Sequence, residues 1–386
     1  MHLPIQGRIG RLGQLVCLLA VSFHGVAAQK NVHSTTFDLR SEGYFDLPDD
    51  FQYLQFKLVN GQVAFIDAER VAVSFMISNK NIGLTDRKHL SGGKWLFQTL
   101  VINANSGQLQ GEWIWRTASP DSKFVSLPTG QFLVSSDERI TLQQADGQTR
   151  WQLDLPKTDL FPANPYGTAI ESNTGNTLFV VSDKDKETQT VDVYRTSDLG
   201  AENTFTIPYQ SLTNRMAATD NGLLYMGLDR PFSLFIDHFG RSSDRIWICK
   251  TPWQCGLSPQ FIGTNRLLLN DGLHSLLLLD NQGTLLLRHE LGKEEIGRIS
   301  VSFNGARVMV MLLKMGGGST FFDVFPKAKA ARIAILDADT LREIASLPVD
   351  PNHTVRAGIN PTGDLVAYID NGMLKFWNVS ASTKAK

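Results

Sequence analysis

The sequence predicts an all-β fold built from seven similar units, and three observations support this prediction. First, one pattern recurs along the 386 residues: an apolar segment, a tight turn with Gly or Asn, and a second apolar segment. Clear copies run from Ile299 to Met311 and from Arg356 to Tyr368. Second, apolar residues in the copies follow the two-residue period of β-strands. Third, no window shows the periodicity of an amphipathic helix.

The turn residues give the length of the repeating unit. The copies align on seven positions: Gly61, Gly130, Gly175, Gly222, Asn265, Gly305 and Gly363. Four of the six intervals are close to the ~40–50 residues of a four-stranded propeller blade. The two longer intervals contain insertions, at Ser78–Lys94 and Lys314–Ala331. The sequence therefore predicts a β-propeller of seven four-stranded blades, with six blades as the alternative.

The sixth repeat shows a complete unit. Its four predicted strands are Ile299–Phe303, Ala306–Leu313, Arg332–Leu336 and Arg342–Leu347. The fifth repeat ends in the same way, with two predicted strands on either side of a Gly-containing turn.

The two ends of the chain are predicted to complete one blade together. The last repeat offers Leu365–Ile369 and Met373–Trp377 but is one strand short, and Thr35–Arg40 precedes the first repeat as an extra strand. Pairing these ends would remove two exposed sheet edges. The alternative is a short irregular terminus. Residues 29–380 are accordingly predicted to form a single propeller domain, followed by a polar tail at 381–386.

The N-terminus is typical of a secretory signal. Arg8 and Arg11 precede an apolar run from Leu12 to Phe23, which is too short to span a bilayer. Small residues lead to a predicted cut after Ala28, so residues 1–28 are interpreted as a signal peptide and the mature protein as secreted or periplasmic. The alternative is an uncleaved N-terminal anchor. No later stretch is long and apolar enough to span a membrane.

The cysteines agree with export. Cys17 lies in the predicted signal, which leaves Cys249 and Cys255, six residues apart. An even pair around a Pro suits a local disulfide in an oxidising compartment. The alternatives are a metal-binding pair, which lacks nearby ligands, and two unpaired thiols.

Charge and motifs exclude several classes of function. The formal net charge is −1, which gives no electrostatic basis for binding nucleic acid. The sequence has no nucleophile elbow, zinc-protease motif, phosphate-binding P-loop or dinucleotide fingerprint. The charged run Asp183–Glu187 is interpreted as a solvated connection, and the sequence predicts neither a cofactor nor a metal site.

Cations recur at one position of the repeat. Seven residues before the turn residue stand Lys123, Arg215, Arg298 and Arg356. This position is expected at the start of the innermost strand, so these four residues would form a partial basic ring that attracts an anion into the channel. The alternative is that each cation pairs with a nearby acid such as Asp121 or Glu295.

Long loops are expected on the face of the propeller where the innermost strands begin, and these loops are predicted to bind a partner. The candidate contact residues are Arg87, His89, Tyr166, Arg230, Trp253, His274 and Phe325. Arginines and aromatic residues are enriched in binding surfaces. An alternative for Phe325 is that it packs the sixth-repeat insertion onto the ring.

Three segments resemble known propellers. Arg332–Pro348 resembles the strand–Asp–turn–strand unit of YVTN-type and WD-repeat-like propellers, and Met373–Asn378 resembles the end of a WD-repeat strand. Ala145–Trp151 resembles the docking unit of quinoprotein-dehydrogenase-like propellers. These resemblances imply a propeller over residues 35–380.

The fold leaves three classes of function open. The favoured function is non-enzymatic binding of an unknown protein partner or a small anionic ligand. The alternatives are a lactonase or quinoprotein-like enzyme, and a structural module of an envelope assembly.

Overall fold

The computed structural model describes residues 35–45, 61–77, 95–117, 123–135, 139–156, 167–210, 216–227, 232–249, 259–271, 274–315, 328–351 and 356–380. Within these ranges the chain forms seven four-stranded antiparallel sheets and almost no helix. The predicted all-β fold of seven blades is therefore confirmed.

The first four blades follow one another along the chain. Blade I consists of β2 (Gln62–Phe65), β3 (Arg70–Met76), β4 (Trp95–Asn103) and β5 (Leu109–Thr117). Blade II consists of β6 (Lys123–Ser126), β7 (Phe132–Ser135), β8 (Arg139–Gln143) and β9 (Thr149–Asp154). Blade III consists of β10 (Thr168–Glu171), β11 (Thr177–Asp183), β12 (Thr188–Arg195) and β13 (Ala201–Pro208). Blade IV consists of β14 (Ala217–Thr219), β15 (Gly222–Gly227), β16 (Ser233–Asp237) and β17 (Ser243–Ile248).

The remaining three blades complete the ring. Blade V consists of β18 (Gln260–Ile262), β19 (Arg266–Asn270), β20 (Ser275–Asp280) and β21 (Leu285–Glu290). Blade VI consists of β22 (Glu295–Val301), β23 (Arg307–Met315), β24 (Ala328–Asp337) and β25 (Glu343–Val349). Blade VII consists of β26 (Arg356–Ile359), β27 (Leu365–Asp370), β28 (Met373–Asn378) and β1 (Thr36–Asp38).

Blade VII is completed by both ends of the domain, as the sequence predicts. β1 pairs antiparallel with β28, with Thr36 opposite Lys375 and Phe37 opposite Leu374. Leu374 is fully buried in a cluster that contains Phe75 of blade I, so closure also packs blade VII against its neighbour.

The first strands of neighbouring blades lie against one another, as seen for β22 with β26 and for β26 with β2. They are therefore the innermost strands and surround the central channel, while the fourth strands lie at the outside.

Apolar clusters fill the spaces between blades. The cluster between blades VI and VII, for example, contains Met309, Ile333, Val366 and Trp377. Middle strands pack on both faces, which explains unbroken apolar runs such as Leu276–Leu279. Each such side chain contributes about 1.5–3 kcal/mol when fully buried.

Asp and Gly recur in the sequence at the turns between the third and fourth strands, and the turn at Asp280–Gly283 shows why. The Asp280 carboxylate accepts hydrogen bonds from the backbone N–H groups of Thr284 and Gln282, and these bonds lower its pKa. Gly283 has a φ of +82°, and a Cβ there would lie 1.8 Å from the carbonyl oxygen of Ile246 in blade IV. Glycine is therefore required both by the backbone conformation and by the contact between blades IV and V.

The strand boundaries of the sixth repeat differ from the prediction. β22 begins at Glu295 instead of Ile299, and β24 begins at Ala328, inside the predicted insertion. The middle strands lengthen together because Leu313 pairs with Ala331 and Lys314 with Ala330, which satisfies backbone groups on both strands. Alanine is weak as a strand signal, so the sequence does not reveal this extension.

β1 is also shorter than the predicted Thr35–Arg40 strand, because the chain turns at Leu39. The predicted signal peptide and the tail at 381–386 lie outside the described residues. Among the described residues, no helix has the length and hydropathy that a membrane span requires.

Candidate functional site

The antiparallel order of each blade gives the propeller two different faces. The connection from the second to the third strand and the connection to the next blade leave the sheet at the same edge. We call this side the loop-rich face. The first strand of each blade starts there, so Arg356, the first residue of β26, lies at the loop-rich entrance of the channel.

The position of Arg298 depends on an irregularity in β22. The pairing with β23 shifts between Ile296 and Arg298, which makes Gly297 an extra residue in the strand. Ile296 and Ile299 consequently both pack in the cluster shared with blade V. Arg298 is paired with Met311, whose side chain packs towards blade VII, so Arg298 lies on the side facing that blade.

Arg298 has accessible surface and is nevertheless poorly hydrated. Its side chain is exposed, yet loss of hydration lowers its guanidinium pKa. The two properties are compatible because Arg298 lies on an inner strand of the ring, where protein atoms of neighbouring blades crowd around a side chain that still borders the central channel. A charge in such surroundings interacts more strongly with other charges than it would at the outer surface.

Arg356 lies on the neighbouring inner strand and is less accessible than Arg298. Loss of hydration, with a further contribution from the charge of Arg298, lowers the pKa of Arg356 to about 10, and Tyr44 acts in the opposite direction. The Nε atom of Arg356 is buried and has no hydrogen-bond partner in the described part of the chain. Tyr44 packs edge-on against Phe75 of blade I, with ring centroids 5.6 Å apart.

Carboxylates close to these arginines in sequence do not neutralise them. Glu294 forms two hydrogen bonds of 2.8 and 2.7 Å with Arg332. Among the described residues, no carboxylate forms an ion pair with Arg298 or Arg356, and this includes Glu295. Asp121, the other acid considered from the sequence, lies outside the described ranges.

The structure thus brings together two of the four cations of the predicted ring. Lys123 is the first residue of the inner strand β6, as expected from its register, but only its backbone is described. Arg215 lies outside the described residues.

His274 is the one predicted loop contact within the described ranges. Its Nδ1 lies 2.9 Å from the carbonyl oxygen of Glu294, and its own carbonyl accepts the N–H of Leu291. His274 therefore ties the end of blade V to the segment that enters blade VI. The other predicted loop contacts lie outside the described part: Arg87, His89, Tyr166, Arg230, Trp253 and Phe325.

The predicted disulfide stays a prediction. Cys249 is buried directly after β17, and Cys255 lies outside the described residues. The described residues also contain no group of three or more His, Cys, Asp or Glu side chains that could hold a metal ion.

Sequence reasoning did not identify Tyr44 as part of the channel mouth. It lies between β1 and the first repeat, where no repeat register places it. Hydrogen bonds to Leu39 fold this stretch back, and a bridge to Ile77 holds Tyr44 against blade I. The signal that could have found it is the apolar pair Leu39 and Tyr44 in an otherwise polar turn.

Comparison with known proteins supports the fold and gives no closer relationship. No protein-family model matches the sequence, and no curated protein matches it. A solved structure described as "Crystal Structure of Mitotic Checkpoint Complex" matches with a TM-score of 0.52 and 12% identity, over 89% of this chain and 93% of that one.

Two further solved structures are similar at low identity. One is described as "Crystal structure of Chaetomium thermophilum Raptor", with a TM-score of 0.54 and 13% identity over 83% of this chain and 27% of that one. The other is the C-terminal WD40 domain of Sif2, with a TM-score of 0.47 and 10% identity over 82% and 95% of the two chains. The seven four-stranded blades establish a β-propeller fold, and the two matches with TM-scores above 0.5 agree with it at the level of the fold.

Proposed function

We propose that this protein is an exported, non-enzymatic propeller that binds a protein partner or a small anionic ligand at its loop-rich face and channel mouth. The observation that supports this most strongly is the pair of arginines on the adjacent inner strands β22 and β26. Neither has a carboxylate partner among the described residues, and one nitrogen of the pair is buried without a hydrogen bond.

Burying the charges of Arg298 and Arg356 is unfavourable unless an opposite charge compensates them. Charges removed from water are normally paired, because loss of hydration is unfavourable and is offset only by a close opposite charge. Arg298 and Arg356 are both poorly hydrated and also repel each other. A bound anion would offset both penalties, whether it is a free ion or an acidic group of a partner.

The proposed binding is tested by calorimetric titration of anions into the mature protein. Wild type is compared with Arg356→Ala, and with Arg245→Ala as a control at an exposed site on the outer strand β17. We expect binding to wild type and to the control, and at least tenfold weaker binding to Arg356→Ala. Equal affinities in all three proteins would reject the proposal.

Export rests on the N-terminal sequence, and intact-mass measurement of the protein from a secreting host tests it. We expect a mature chain that starts at Gln29 and weighs 2 Da less than the reduced form because Cys249 and Cys255 are joined. A chain that retains residues 1–28, or two free thiols, would contradict these parts of the proposal.

A structural role in an assembly is the second candidate, and one observation favours it. Apolar side chains on three outer strands are exposed: Leu109 and Ile114 on β5, Ile248 on β17, and Leu285 and Leu286 on β21. Ile114 is 60% exposed. If these residues bind other subunits, light scattering should show an oligomer that dissociates in Ile114→Asp or Leu286→Asp, whereas a monomer at all concentrations would reject this role.

A further inference from the structure

We propose that Arg298 and Arg356 form a two-arginine site selective for a doubly charged oxyanion, of which phosphate is the simplest example. This inference rests on the proposed function and makes it more specific. It concerns two of the four cations of the predicted ring and places one site at the junction of blades VI and VII, with Tyr44 on the side of blade I.

Charge balance is the first argument. The two guanidinium groups bring two positive charges into a poorly hydrated space, and no described carboxylate pairs with either. A monoanion such as a single carboxylate would leave one charge uncompensated. A dianion neutralises both charges and removes the repulsion between the arginines.

Arg332 of blade VI, which pairs with two carboxylates, provides an internal comparison. Arg332 donates two hydrogen bonds to Glu294 and a third, of 2.6 Å, to Glu343, and these partners raise its pKa. The pKa of this paired arginine is therefore raised, whereas the pKa values of Arg298 and Arg356 are lowered. The contrast indicates that the described part of the chain leaves the two channel arginines for another anionic group to bind.

Hydrogen-bond geometry is the second argument. Each guanidinium presents a planar fork of donors, and the buried Nε of Arg356 is a donor that has no acceptor among the described residues. A planar carboxylate has two oxygens and matches one fork. A tetrahedral oxyanion has additional oxygens in other directions, so it can accept from two forks that arrive from different strands.

The site is also held in place by the scaffold. Ile299 and Ala357, the residues after the two arginines, are both buried between blades, and the irregularity at Gly297 fixes the direction of Arg298. Little conformational freedom of the backbone is therefore lost on binding, which favours affinity.

The test is a calorimetric series at pH 7.5 with inorganic phosphate, sulfate, O-phosphoserine and acetate as probes. We expect phosphate and sulfate to bind at least tenfold more tightly than acetate. The O-phosphoserine titration separates two sources of the same chemistry: tighter binding than phosphate indicates a phosphoryl group carried by a larger ligand, and weaker binding indicates a free anion. Either result supports the site.

Variants assign the binding to the two arginines. Arg298→Gln and Arg356→Gln should each weaken phosphate binding at least tenfold and remove the preference over acetate, whereas Arg245→Gln should change neither. Arg298→Gln keeps the test valid if the less accessible position 356 does not tolerate substitution. Equal binding of phosphate and acetate would overturn the dianion site but leave the proposed function intact, and no binding of any probe would reject both.

Discussion

Arg356 and Arg298 lie on adjacent inner strands of the ring, and loss of hydration together with the charge of Arg298 lowers the pKa of Arg356 to about 10. Two like charges in this position are unfavourable for the unliganded protein. Their effect should therefore be measurable in stability as well as in binding.

Replacing Arg356 should stabilise the unliganded protein. The folded-state pKa of about 10 lies below the ordinary arginine value, so the charged form is disfavoured on folding at every pH below about 10. This cost to the folding free energy decreases only as the pH rises above about 10 towards the ordinary arginine value. At pH 7 we expect Arg356→Gln to increase the free energy of unfolding by about 1–3 kcal/mol.

Urea unfolding in a phosphate-free buffer measures this effect, with Arg245→Gln as the control. Adding phosphate should stabilise wild type and not Arg356→Gln, because only the protein that binds the anion gains free energy from it. A variant less stable than wild type in the absence of anions would show that the Arg356 charge is already compensated.

The ion pair between Glu294 and Arg332 should stabilise the folded protein in a pH-dependent manner. A hydrogen bond from Arg332 lowers the pKa of Glu294. The stabilisation is therefore present above the ordinary carboxyl value of 4.5 and is lost as the pH falls through the lower folded-state value. We expect Glu294→Gln to cost about 1–2 kcal/mol at pH 7.

Unfolding of wild type and Glu294→Gln at several pH values tests this prediction. The difference between the two proteins should shrink progressively as the pH falls below 4.5. A difference that is the same at pH 7 and pH 3 would mean that the carboxylate charge of Glu294 does not stabilise the fold.

The contact between Gly283 and blade IV should not tolerate a side chain. A Cβ at this position would meet the Ile246 carbonyl in a left-handed backbone conformation. We expect Gly283→Ala to lower the unfolding free energy by about 2–4 kcal/mol. Gly263→Ala is the matched control: its φ is also positive, at +59°, but nothing lies within 4 Å, so a loss of about 1 kcal/mol is expected. Equal losses would show that the blade contact is unimportant.

Closure of the ring should depend on Leu374, which is fully buried beneath the β1–β28 pairing. We expect Leu374→Ala to cost about 2–5 kcal/mol. The same truncation at Leu286, which is 51% exposed on β21, should have an effect within about 0.5 kcal/mol. Thermal or urea unfolding compares the two, and a small effect at Leu374 would contradict the closed seventh blade.

The repeated turns made the fold predictable. Each turn residue fixes a hairpin, and the recurrence of hairpins sets the number of blades, so even the shared blade VII followed from one missing strand. Strand ends were less predictable. At Ala328–Ala331, pairing with the extended β23 decided the structure, and the weak strand preference of alanine gave no signal.

The site could be predicted only in part. The common register placed Arg298 and Arg356 on inner strands, because equivalent positions in a repeat occupy equivalent places in the ring. The sequence could not show that Glu294 pairs with Arg332 and that Arg298 has no carboxylate partner among the described residues, since Glu294 and Glu295 are both close to Arg298 in sequence. Nor could it place Tyr44, which lies outside the repeats and reaches the channel mouth through long-range packing.

The most direct test of this account is a crystal structure of the protein grown with a low concentration of selenate, a dianion that can be located by its anomalous scattering. The account predicts an anomalous peak in contact with the guanidinium groups of both Arg298 and Arg356, which is absent from crystals of Arg298→Gln. Selenate bound only at other positions, or a protein carboxylate seated between the two arginines, would contradict it.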